Sequence, residues 1–283
     1  MKPIVKDPAS EKKLIDDGYI VVPFLSQEET ADLKNFYYQF NSDKLEGMSA
    51  TAHLPDIDRR MEMNNFIKKV FERAIAQTFI NATALGGSFI AKGKGKNGTL
   101  TPHQDWNIVD ELQFRSFNIW VPLVDLNENN GAICIMPGSH TWIQSYRSSN
   151  IGSAYHNVEP QLWERMTRLD MRAGEALIYD HRLIHASGEN KTDKIRLAAV
   201  FGIIPDEASM LYYHKMDDKT VEIYESNKEF FLYENIFEGP KKLKRVGQVP
   251  YDFPSITVQQ LDRFEKGPEI GLLGRLRAML KLA

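Results

Sequence analysis

The chain has 283 residues, 35 Lys and Arg against 38 Asp and Glu, a net charge of -3, and 42% hydrophobic residues. That length fits one large domain or two small ones, with the composition of an ordinary globular protein and no charge excess that would call for nucleic acid or an anionic membrane as partner. A single cysteine, Cys134, excludes an intrachain disulfide and a cysteine-cluster metal site, and fits a reducing compartment. No N-terminal apolar run has signal-peptide length and no stretch approaches the roughly 18 apolar residues of a membrane span. A cytoplasmic protein is the expectation.

In chain order, residues 9–17 read as a short helix capped by Ser10 and ended by Gly18, followed by a strand over 19–24. Ser26 with Glu29 forms a capping box opening a helix to about Phe40. Residues 41–58 read as a loop, and apolar positions at helical spacing predict a third helix from Arg59 to about Ile80. From Gly87 to Ile204 the texture changes to short strand-like runs (88–91, 117–123, 131–136, 176–179, 196–204) broken by Gly, Pro, Asn and Asp. Such spacing predicts a sandwich, jelly roll or barrel. Beyond Pro205 the pattern is mixed. Ser255 is the expected cap of a helix to about Lys266, and 268–283 reads as a basic amphipathic helix that docks onto the protein or a partner, or lies on a membrane surface.

Chemistry concentrates in Thr101-Pro102-His103-Gln104-Asp105-Trp106. In extended chain, alternation puts His103 and Asp105 on one face, where an imidazole nitrogen and a carboxylate oxygen can share an ion. A distant second histidine would complete a 2-His-1-carboxylate triad, which leaves sites open on ferrous iron. Two candidates lie in Asp180-His181-Arg182-Leu183-Ile184-His185-Ala186-Ser187, and either His185 or His181 could serve. The serine two residues after His185 and Arg196 on the following strand favour His185, because arginine and a hydroxyl suit the far carboxylate of a chelating keto acid. Gly93-Lys94-Gly95-Lys96-Asn97-Gly98 matches a dinucleotide fingerprint literally, but Thr-Leu-Thr-Pro follows where a helix would be needed. It reads as a mobile basic loop, with a flap over an anionic substrate as the lesser option. His140, after the turn at 137–139, reads as structural, Trp106 as a core aromatic, and Cys134 as buried and inert.

These segments together resemble the phytanoyl-CoA dioxygenase family of iron(II)/2-oxoglutarate oxygenases. The resemblance runs from Asp17-Gly18-Tyr19 through His103-Gln104-Asp105, Asn130-Gly131-Ala132, Pro137-Gly138-Ser139-His140 and Gly174-Glu175 to His185-Ala186-Ser187 and Arg196. It implies a mainly β fold with flanking helices around a double-stranded β-helix, a cupin-like jelly roll. It implies iron(II) held by His103, Asp105 and His185, with 2-oxoglutarate and O2 as co-substrates. Arg196 would pair with the side-chain carboxylate of 2-oxoglutarate, Ser187 would be its hydroxyl partner, and Trp120 would line the pocket. Related halogenases have a small residue where Asp105 stands, so hydroxylation or a kindred oxidation is expected. His53 and Lys94 are the candidates for reaching a small-molecule, lipid or natural-product substrate. The expected division of 1–283 is one oxygenase domain: a helical layer over 1–85, the jelly roll over 86–204 and an extension over 205–283 ending in the amphipathic helix. The rivals are a jelly-roll isomerase or hydrolase using another divalent metal, and a non-catalytic binding jelly roll. Segments 41–60, 92–101, 141–160 and the C-terminal region are expected to shape the pocket.

Overall fold

A computed structural model describes residues 2–42, 44–234, 236–251 and 255–266. The chain opens with α1 (Pro8–Asp17), β1 (Tyr19–Pro23) and α2 (Gln27–Phe40), then β2 (Met48–Ala50), α3 (Ile57–Thr78), β3 (Ala82–Lys92), β4 (Leu100–His103) and β5 (Phe117–Pro122). It continues through β6 (Ile133–Ile135), α4 (Glu159–Arg165), β7 (Thr167–Arg168), β8 (Glu175–Asp180), β9 (His185–Ser187) and β10 (Arg196–Pro205). The last elements are β11 (Leu211–Lys215), β12 (Thr220–Glu225), α5 (Lys228–Tyr233), β13 (Lys244–Pro250) and α6 (Val258–Lys266).

Local chemistry explains the helix ends. Asp7, not Ser10, caps α1: its carboxylate accepts from the Ser10 amide, and Pro8 supplies a preset φ at the first helical position. The predicted capping box of Ser26 and Glu29 opens α2. At the far end of the chain Thr257, rather than Ser255, caps α6, with Thr257 Oγ1 accepting from the Gln260 amide at 3.3 Å and Gln260 Oε1 accepting from the Thr257 amide at 2.9 Å. The predicted amphipathic helix over 268–283 lies outside the described residues. Gly18 ends α1 with φ 81°, and any β-carbon there would lie 2.5 Å from His140 Nδ1. His140 is thus a buried turn histidine, its Nε2 3.0 Å from the Ile15 carbonyl.

Six strands form the major sheet in the order β1-β8-β5-β10-β3-β2, and four form a second, β4-β9-β6-β7. The two strands β1 and β2, from the stretch expected to be a helical layer, pair with β8 and β3 and so widen the sheet. Alternation then sorts the side chains. Phe89, Ala91, Ile119, Val121, Ile178, Leu197, Ala199 and Phe201 pack against Leu14, Leu33, Ile67 and Phe71 of the helices. The intervening residues Lys92, Asn118, Trp120, Tyr179, Arg196 and Val200 fall on the opposite face, toward the second sheet. Because both faces are covered, truncating a core ring such as Phe71 to alanine should cost about 3–5 kcal/mol. A third sheet, β11-β12-β13, follows the jelly roll. Its strands carry the ion pairs Lys244–Glu225 and Arg245–Glu222 on alternate faces, so they lack the apolar runs that mark buried strands. Among the described residues no helix is long and apolar enough to cross a membrane.

Candidate functional site

Strand pairing builds the centre of the site. In the second sheet His103 of β4 is the direct cross-strand partner of His185 of β9, and their rings lie 4.2 Å apart. Asp105 stays beside them because its amide donates to the His181 carbonyl at 2.8 Å, extending the pairing past the end of β4. His103, Asp105 and His185 each offer one ligand atom, all within 4.8 Å of one another. Asp105 Oδ1 lies 3.9 Å from His103 Nε2 and 3.7 Å from His185 Nε2.

The second atoms of these side chains are already committed. His103 Nδ1 lies 2.8 Å from the Thr101 carbonyl and His185 Nδ1 3.0 Å from the Leu183 carbonyl. A carbonyl only accepts, so each Nδ1 carries the proton and each Nε2 lone pair faces the centre. Asp105 Oδ2 accepts from Asn118 at 2.7 Å and from the Tyr179 hydroxyl at 3.0 Å, which leaves Oδ1 toward the histidines. Burial, with His185 nearby, draws His103 down to about 4, so it is neutral near pH 7. Burial pushes Asp105 up, but the surrounding histidines outweigh it and hold the carboxyl at about 2. Behind the centre, Arg147 donates to the Asp105 carbonyl at 2.6 Å and makes a buried ion pair with Glu111, also at 2.6 Å. Asp180 takes Arg115 and Arg182, each at 2.8 Å.

On the facing sheet Arg196 pairs in register with Lys92, which puts both cations on one side. Arg196 is 3% exposed, its guanidinium lies 5.2 Å from the Trp120 ring, and its Nε has no hydrogen-bond partner among the described residues. Burial draws it down to about 10, so it stays charged near neutrality with no carboxylate beside it among the described residues. Lys92 is fully buried and donates to the Ser187 hydroxyl, the Ser187 carbonyl at 3.0 Å and the Gly188 carbonyl at 2.7 Å. Burial and the Arg196 charge pull it down to about 7. A buried guanidinium with no carboxylate beside it among the described residues, next to a lysine-held hydroxyl, has the donors that a carboxylate would need.

A cavity of about 830 Å³ joins the two corners, with His103, Asp105, His185, Ser187, Arg196 and Trp120 in its wall. His53 also lines it, whereas Lys94 does not: its ammonium pairs with Asp193 at 2.7 Å on the surface. The predicted mobile basic loop is tied down on both sides, Gly93 to the Gly47 carbonyl and Gly95 to that of Asn190, each at 2.8 Å. A β-carbon on Gly93 would meet the Leu45 carbonyl oxygen at 1.7 Å, so glycine serves this close approach rather than a phosphate. Trp106 lines the cavity instead of sitting in the core, and Cys134 is half-buried rather than buried. Arg60 lies in the wall with its guanidinium on the Leu54 and Leu232 carbonyls. The lining draws on 48–60, Leu100 and 231–237, and not on 141–160. Lys92, Asn118 and Tyr179 were not singled out from sequence. The available signal is that they share a face with Ile90, Trp120 and Leu177 on strands buried on both faces.

A model of the phytanoyl-CoA dioxygenase (PhyH) family matches residues 15–198. Dioxygenase trt7 of Aspergillus terreus is 28% identical over 126 residues, spanning 42% of this chain and 40% of its own. The chain spans less than half the length of this and similar curated relatives. The non-heme α-ketoglutarate-dependent carbocyclase SnoK of nogalamycin biosynthesis aligns with a TM-score of 0.54 at 16% identity, covering 72% of this chain and 86% of its own. The epimerase SnoN, solved with Fe3+, α-ketoglutarate and nogalamycin RO, aligns with a TM-score of 0.50 at 20% identity, covering 87% and 98% respectively. These structures share the fold, a jelly-roll core with flanking helices. With the family match extending over more than half of its length, the chain belongs to the phytanoyl-CoA dioxygenase family.

Proposed function

We propose that this protein is an iron(II)/2-oxoglutarate-dependent oxygenase that hydroxylates an unactivated C–H bond of a small-molecule, lipid or natural-product substrate. The observation that carries the reading is the pairing, in one cavity, of a His-Asp-His ligand set with a buried arginine whose Nε has no partner among the described residues. Iron would be held by His103 Nε2, His185 Nε2 and one oxygen of Asp105, a donor set suited to ferrous iron with sites left open. The chemistry supplied there when iron, 2-oxoglutarate and O2 are bound is C–H oxidation coupled to release of succinate and CO2.

The chain's own groups do the arranging. Arg196 would hold the far carboxylate of 2-oxoglutarate, with Ser187 as its hydroxyl partner and Lys92 fixing that hydroxyl. Trp120, whose ring lies 5.2 Å from the Arg196 guanidinium, would close the side of this pocket. Tyr179 and Asn118 keep Asp105 Oδ2 occupied, so the carboxylate presents one oxygen and keeps its orientation. Asp105 itself supports hydroxylation or a kindred oxidation over halogenation, since it fills the place a halide would need. The single cysteine agrees with a cytoplasmic setting.

The test is a screen of metabolites with anaerobically reconstituted enzyme, then O2. Iron, 2-oxoglutarate and a substrate should together yield succinate and CO2 above background, while zinc-loaded enzyme yields neither. Turnover with zinc or manganese that leaves 2-oxoglutarate unconsumed would establish the rival isomerase or hydrolase reading.

A further inference from the structure

A second, smaller chamber of about 190 Å³ adjoins the main cavity under α5. Ala52, Ile108, Asn118, His181, Val200 and Phe231 belong to the walls of both, so they form a neck between the two lobes. Beyond the neck the chamber is apolar, bounded by Leu85, Met210 and Leu232, with the exposed Lys228 its one charged wall residue among the described residues.

Polar groups at the neck are mostly engaged. Asn118 directs its amide at Asp105 and Tyr179, and the Ser88 hydroxyl bonds the Phe89 carbonyl and the Ala52 amide. His181 differs. It is 5% exposed, its Nδ1 lies 2.9 Å from the Ser116 hydroxyl, and its Nε2 is buried with no partner among the described residues. A buried polar atom left unpaired is a standing cost unless something else completes it. Because the Ser116 hydroxyl can donate to Nδ1 or accept from it, Nε2 can respectively donate or accept.

The mouth points to the same chemistry. Met48 at 40%, Ile57 at 42%, Tyr233 at 44% and Phe237 at 61% exposure are all large apolar side chains on the cavity's rim. The charges there are already bonded: Arg60 to backbone carbonyls and Glu234 to Lys242.

We propose that the substrate is an uncharged, largely apolar molecule whose apolar arm fills the chamber under α5 and whose polar group meets His181 Nε2 at the neck. This assignment rests on the oxygenase reading, and makes His181 a substrate-binding residue beside the metal ligands.

The test uses two uncharged fluorescent probes on iron(II)/2-oxoglutarate-loaded enzyme under anaerobic conditions. Prodan offers a carbonyl acceptor and N-phenyl-1-naphthylamine an N–H donor; 1-anilinonaphthalene-8-sulfonate is the anionic counterpart of the second. The neutral probes should bind at least about tenfold more tightly than the sulfonate, and Met210→Trp should weaken them by about tenfold or more by filling the chamber. His181→Phe should weaken at least one neutral probe by about fivefold, with His181→Gln restoring most of it. Equal binding of the sulfonate, no effect of Met210→Trp, or no effect of His181→Phe on either probe overturns the assignment. The visible iron–2-oxoglutarate absorption band, recorded on every sample, separates the two claims. Its presence with failed probe behaviour removes the substrate class alone, and its absence in the wild type removes the oxygenase reading beneath it.

Discussion

The base and the mouth of the cavity are built by different means. At the base, ladder register does the positioning: His103 faces His185 across one sheet, and Arg196 lies level with Lys92 across the other. Each of the three metal-ligand side chains there has its second polar atom fixed by a carbonyl, an amide or a hydroxyl. At the mouth, the walls come from 48–60 and from α5 with the turn that follows it, joined by Arg60 reaching from α3 to the Leu232 carbonyl at 3.0 Å. Large apolar side chains stand exposed on the rim. The contrast is between a preorganised reaction corner and an adaptable substrate entrance.

The sharpest way to break this contrast is to remove a ligand. His103→Ala, Asp105→Ala or His185→Ala should lower iron affinity by more than about 100-fold, beyond the usual effect of a supporting group. Equilibrium dialysis against iron(II) checks this, and near-native affinity in any of the three variants would remove that residue from the metal set. Next comes the anion clamp. Arg196→Ala should raise the KM for 2-oxoglutarate by about 100-fold, the scale of truncating one partner of a buried charge pair, with iron affinity unchanged.

Lys92 gives the clamp a pH signature. Its ammonium is drawn from 10.5 to about 7 while no anion is bound. Above that point the free protein has lost the proton that an incoming dicarboxylate wants, so 2-oxoglutarate affinity should fall by up to about tenfold per pH unit. Stability runs the other way. Between about 7 and 10.5 the unfolded chain holds a proton the folded one lacks, so the unliganded protein gains stability as pH rises through that window. Lys92→Met should flatten both curves, read by isothermal titration and by denaturant melts at several pH values.

Smaller effects belong to the supporting groups and the rim. Tyr179→Phe leaves Asp105 Oδ2 with Asn118 alone, and should weaken iron binding by about tenfold. Phe237→Ala should change substrate KM by about threefold and leave both iron and 2-oxoglutarate binding untouched, since the side chain is 61% exposed at the mouth. A large loss of iron affinity in the rim variant would erase the distinction between base and mouth.

The same contrast explains what could be read from the chain alone. His103, Asp105, His185 and Arg196 sit at strand ends, where a histidine, an acid or an arginine beside turn residues stands out from an apolar run. Lys92 ends an apolar strand too, but in the sequence it merges with the glycine- and lysine-rich stretch that follows it. Tyr179 and Asn118 are common residues on strands, and only the two-sheet geometry turns them toward Asp105. Trp106 looked like core because an aromatic in an apolar context usually is. The sheet over 211–250 has no legible pattern, because charged residues on both faces interrupt its few buried positions. The mouth was half visible: 41–60 was expected to shape the pocket and does, yet 231–237 reaches it through chain distance that no local pattern encodes.

The most direct measurement is an anaerobic titration of 2-oxoglutarate into the iron(II)-loaded protein, followed by visible absorption. Chelation of iron held by His103, Asp105 and His185 should produce a saturable charge-transfer band, with Arg196→Ala shifting its midpoint about 100-fold upward and Asp105→Ala abolishing it. A wild-type protein that binds iron yet shows no band at any 2-oxoglutarate concentration would contradict the account.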